Sequence, residues 1–173
     1  MPDMEQRVII PLATSHPQLG RWLWALEDTR ARTKAPLAEL DQAALDGTGP
    51  GVENSIGSLL YHIALIESDY LYGNILGMEE YPAWVDKPEA FAIPDRDDDG
   101  KLSVVSGVSL EAHLARLDRV RSEFLRLVAP LTAEQLVTLP RDNTSPAWTL
   151  HHLIQHEAEH RGQIATIRTM QGA

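Results

Sequence analysis

The chain has 173 residues, with 15 Lys plus Arg against 25 Asp plus Glu and a net charge of −10. That length suits one domain over 1–173, and the acidity argues against gripping nucleic acid or anionic lipid by counterion release. No cysteine is present, which excludes disulfides, thiolate zinc sites, iron–sulfur clusters and a cysteine nucleophile.

The first seven residues, Met1 to Arg7, carry acids early and no apolar run, so they do not read as a signal peptide. No stretch reaches the ~18 apolar residues of a membrane span, and a cytoplasmic protein is expected. Helical spacing then dominates. A first segment runs from Pro17 to Leu45, with Leu19, Trp22, Leu23, Leu26, Leu37, Leu40 and Leu45 three and four apart and a bend or interruption at Pro36. Gly47, Gly49, Pro50 and Gly51 break the chain. A second helix is expected from Asn54 or Ser55 to Leu76, with Gly77 as its C′ residue. A third starts after Ser109 and runs from Leu110 to Ala129, stopped by Pro130. Thr132 to Gln135 fits a capping box for one extra turn. A fourth helix starts at Ser145-Pro146 and reaches Gln171.

About thirty residues, Met78 to Val108, separate helices two and three, with at most a short extended piece at Leu102 to Val105. So long a connection allows those two helices to run parallel. The expected fold is all-α, a four-helix bundle with one long crossover. Helix two is apolar nearly all round, with Leu59, Leu60, Ile63 and Ile66 on one side and Tyr61, Leu65 and Tyr72 on the other. Such a helix wants cover, either from a second copy in a homodimer or from the long loop. The homodimer is the expectation.

Three of seven histidines lie four apart on helix four: His152, His156 and His160. On a helical wheel they fall, with Gln163, on the border between the apolar arc of Leu150, Leu153 and Ile164 and the polar face. Imidazoles one turn apart can converge on one ion. A further ligand is best sought at His62, on the apolar helix where an unpartnered ring is costly; His113 or His16 could substitute.

Three literal motif matches fail. His156-Glu157-Ala158-Glu159-His160 reads as H-E-x-x-H, yet no His, Asp or Glu follows His160, and Glu157 falls in the apolar arc. Glu157-x-x-His160 lacks the second Glu-x-x-His that a di-iron bundle needs. Asp95-x-Asp97-x-Asp99-Gly100 opens like an EF-hand, but position twelve is Ser106 and no helix flanks it, leaving a solvated acidic turn. Glu157 and Arg161 are expected to form a buried or interfacial ion pair, beside Arg168. Asp69 lies near the His62 face and is a candidate for orienting a ligand, and Trp148 and Tyr70 are candidates for lining a pocket.

Ser55-Ile56-Gly57-Ser58-Leu59-Leu60-Tyr61-His62 resembles the second-helix motif of the DinB/YfiT-like superfamily, and His152 to Ile164 resembles its fourth-helix motif. Ser109 to Leu117 is similar to the third helix of some members. The resemblance covers Leu19 to Gln171. It implies an up-down-down-up course and a divalent metal, zinc or nickel, held by His62, His156 and His160, with His152 in a supporting or pocket-lining place. It also implies a reaction among those of the family: thiol-dependent isomerases, S-transferases that use a low-molecular-weight thiol, or hydrolases. Three imidazoles leave a fourth position open, the plan of a catalytic site. The expected function is therefore a metal-dependent thiol S-transferase acting on a small electrophile. Hydrolysis of a small molecule, or stress-related metal or ligand binding without turnover, are the alternatives.

Overall fold

A computed structural model describes residues 8–81 and 91–172. The reading of Met1 to Arg7 and the middle of the crossover lie outside the described residues. Within them every regular element is helical, with two isolated bridges, Arg96 to Leu102 and Arg141 to Thr144.

Helix α1 spans Pro17–Lys34, with His16 as its N-cap and a proline in its first turn. Of the two outcomes expected at Pro36, a bend or an interruption, the chain takes the interruption. Pro36 falls within a 3₁₀ turn, Ala35–Leu37, and after it comes a separate short α2, Gln42–Asp46, capped by Asp41. Ser55 caps α3, Ile56–Asp69, and the helix continues as a π-helical stretch, Tyr70–Ile75. There the Leu76 N–H reaches the Leu71 carbonyl at 3.0 Å. Gly77 closes it at φ 67°, a left-handed conformation glycine adopts freely. Helix α4 is Leu110–Val128 under a Ser109 cap, and α5 is Pro146–Gln171 under Ser145. The Thr132–Gln135 capping box forms as read. The Gln135 Oε1 accepts from the Thr132 N–H at 2.9 Å, and the Thr132 hydroxyl accepts from the Gln135 N–H at 3.3 Å.

α1 packs against α5, and α3 against both α4 and α5. Their buried side chains form two apolar clusters with a charged layer between them. Along α1, Leu19, Leu23 and Leu26 precede Arg30, and Leu37 follows in the other cluster. Along α5, Leu150 and Leu153 precede Glu157, with Ile164 and Ile167 beyond. α3 and α4 run through the clusters in the opposite order, with Glu67 and Arg121 at the crossing. Each long helix thus places one charge in the layer. Arg30 bridges Glu67 at 2.5 Å and Glu157 at 2.8 Å, and Arg121 bridges them at 2.6 and 3.2 Å. Spare guanidinium N–H groups donate to the Leu117 and Leu26 carbonyls. Burial alone would raise the Glu67 pKa, but the charges of Arg121 and Arg30 more than offset it and hold the carboxyl below its ordinary range.

The expected pairing of Glu157 with Arg161 is therefore replaced. A carboxylate on the buried face needs counter-charges from facing helices, and Arg30 and Arg121 supply them. The cover of the apolar helix comes from the crossover. Phe91 meets the Tyr61 ring edge-on at 5.6 Å, the Tyr61 hydroxyl donates to the Ile93 carbonyl, and the Val105 N–H donates to Ser58 Oγ. Tyr61, Leu65 and Tyr72 are all buried within one chain. The reason for expecting a second copy on this helix is met by the loop.

Candidate metal centre

His62 projects from the middle of α3, and His156 and His160 from successive turns of α5, on helices that pack together. Their rings meet. His156 Nε2 lies 3.0 Å from His62 Nε2 and 3.0 Å from His160 Nε2. Among the described residues this trio is the one group of three or more His, Asp or Glu side chains placed to share an ion. Tetrahedral zinc with Zn–N near 2.05 Å sets its nitrogen ligands about 3.3 Å apart. The two contacts of His156 need only slight widening, and all three ligand atoms already lie within 4.8 Å of one another.

Hydrogen bonds behind the rings settle which nitrogens face the centre. Asp95 Oδ1 accepts from His62 Nδ1 at 2.5 Å, and Gln163 Oε1 accepts from His160 Nδ1 at 2.9 Å. Each bond places the ring proton on Nδ1 and turns the Nε2 lone pair inward. His156 Nε2 touches both lone pairs while carrying at most one proton. One of the two contacts is then lone pair against lone pair, and a cation at the centre would relieve it. The donor set fits a divalent ion of borderline softness.

Electrostatics act the same way. Burial pushes the His156 imidazole down to about 3, reinforced by the neighbouring His160, His62 and His152 rings. Burial also lowers His62, against the opposing pull of Asp95. Neutral imidazoles are the form that ligates.

His152 stands outside the trio. Its ring stacks on Trp148, with centroids 5.0 Å apart and planes within 7°, and lies 4.9 Å from Tyr70. The trio opens into a cleft of about 390 Å³ whose walls include His152, Tyr70, Ile66, Leu102, Asn54, Gln163 and Arg96. Trp148 backs the His152 wall and stays half exposed.

The remaining candidates go elsewhere. His16 Nδ1 accepts from the Gln18 N–H at the start of α1. His113 is buried on α4, where burial and then Arg116 push it down to about 4. Asp69 accepts a hydrogen bond from the Tyr81 hydroxyl and borders a separate cleft with Tyr72 and Arg141. Glu157 lies in the charged layer, out of reach of a protease-like base role. In the acidic turn, Asp97 Oδ1 accepts from the Asp99 and Lys101 N–H groups and so closes the turn. Asp95, read only as part of that turn, is the carboxylate that fixes His62. The signal available was an acidic residue in a loop long enough to cross the bundle.

The profile of the DinB superfamily matches residues 25–164. Among solved structures, the chain is similar to a conserved protein from Enterococcus faecalis, with 18% identity and a TM-score of 0.69 over 86% of this chain and 94% of that one. This likeness concerns the fold. Among curated proteins none matches.

Proposed function

The chain belongs to the DinB superfamily, and we propose that His62, His156 and His160 hold one divalent ion, zinc or nickel, in a thiol-dependent S-transferase acting on a small electrophile. The observation that carries the metal reading is the Nε2 trio, with two tautomers fixed by Asp95 and Gln163. When bound, such an ion would supply Lewis acidity and favour the ionised form of a thiol at its open position.

The chain's own residues favour a thiol over a hydrolytic route. None of the described cleft-lining residues is a carboxylate, and the nearby Asp95 is engaged by His62. Hydrolysis of an unreactive substrate gains from a free general base, whereas an ionised thiol needs none. His152, stacked on Trp148 and tilted against Tyr70, and the apolar Ile66 and Leu102 form walls that orient a substrate and limit water.

The test is turnover of a panel of low-molecular-weight thiols with small electrophiles, before and after chelation. The proposal expects thiol consumption that chelator removes and added metal restores. Metal-dependent hydrolysis without thiol would transfer the same centre to a hydrolase. Tight ligand binding with no turnover would make it a binding protein.

A further inference from the structure

The cleft differs in charge from the molecule around it. The chain carries −10 overall, yet among the described lining residues there is no Asp or Glu, and Arg96 is the one permanently charged side chain. Arg96 stands on the acidic turn, next to the Asp95 that holds His62. Two contacts fix its guanidinium at the rim. Nη1 donates to the Gly100 carbonyl at 2.8 Å, and Nε lies 3.5 Å from Asp95 Oδ2. Nη2 makes no hydrogen bond among the described residues. The side chain is about half exposed, so this end faces an entering molecule rather than the core. Tyr70 and His152, whose rings pack 4.9 Å apart, line the same cleft.

Resting on the reading of this cleft as a substrate site, we propose that Arg96 selects an anionic ligand, a small organic acid. Its carboxylate is received by the Arg96 guanidinium, and its carbon skeleton lies on the Tyr70–His152 wall. A guanidinium held by its own loop loses little freedom on binding a carboxylate, and the charge-assisted pair is stronger than a neutral one. The net charge of −10 disfavours anions at long range, so an acid gains here only through direct contact with this guanidinium.

The probes are benzoate and its neutral isostere benzamide, titrated calorimetrically into the zinc-loaded protein and its Arg96→Gln and Arg96→Lys variants. Elemental analysis of each sample accompanies the titrations. Arg96→Gln should weaken benzoate by about tenfold and leave benzamide unchanged, and Arg96→Lys should retain part of the preference. An equal loss for both probes, unchanged benzoate affinity in Arg96→Gln, or no benzoate binding at millimolar concentration overturns the proposal. Should the purified protein take up no zinc, the metal reading fails separately. The same pair of probes on the metal-free chain then still decides the role of Arg96.

Discussion

Asp95 and Gln163 each hold an imidazole by its far nitrogen, and this decides what the near nitrogens can do. Loss of such a support typically costs ~10–100-fold in metal affinity. Asp95→Asn is expected to weaken zinc binding within that range, whereas Asp97→Asn, which alters only the turn, should leave it nearly unchanged. Competition against a chromophoric chelator measures both. The histidine stripe was legible because four-residue spacing on one helix encodes proximity directly. Asp95 was not, because it reaches His62 from 33 residues away in a loop with no periodicity to place it. The EF-hand-like spacing also drew attention to the turn's own geometry and away from its neighbours. His152 was legible as a member of the stripe, but its tilted contact with Tyr70 depends on where the π-helical stretch carries that ring.

At the scale of the elements, the four long helices meet through a layer of two arginines and two glutamates that separates the apolar clusters. Removing one partner leaves the others buried without compensation, a loss of about 3–5 kcal/mol. Glu157→Gln should therefore lower the denaturant midpoint strongly. Arg32→Ala, which breaks the exposed Arg32–Asp28 pair, should cost ~0–1 kcal/mol. Urea titrations of the two variants beside the wild type check the contrast. Most helix ends were readable in advance, since Ser55, Ser109, Ser145 and Gly77 act locally as caps. The break at Pro36 was read as a bend or an interruption, because the proline signal does not say how far the chain turns before helix resumes. The partners of Glu157 could not be read at all. Arc position shows that a charge is buried, while its counter-charges come from α1 and α4.

For the whole molecule, the buried histidines couple stability to pH. His156, at about 3, His113, at about 4, and the lowered His62 all have folded-state pKa values below the ~6.5 of an unfolded chain. The unfolded state then binds more protons on acidification, so the metal-free protein keeps this stability above pH 6.5 and loses it as pH falls from there toward 3. Thermal melts of the metal-free protein between pH 7 and 4 should show a falling Tm that begins near pH 6.5. Substituting His113 by Gln, away from the trio, should flatten part of the fall. Zinc in excess should raise Tm at neutral pH, by about 2.7 kcal/mol of stability at a hundredfold excess over Kd, and this increment should shrink as protons compete for the ligands.

The central claim is that one ion is shared between α3 and α5, and metal stoichiometry by elemental analysis tests it most directly. After zinc loading and desalting, the wild type should hold about one ion per chain. His62→Ala, His156→Ala and His160→Ala should each hold almost none while keeping their helical circular dichroism, since packing builds the bundle. His152→Ala should keep most of its metal. Full metal in His62→Ala together with its loss in His152→Ala would contradict the account, because the stripe on α5 would then be binding the ion without α3.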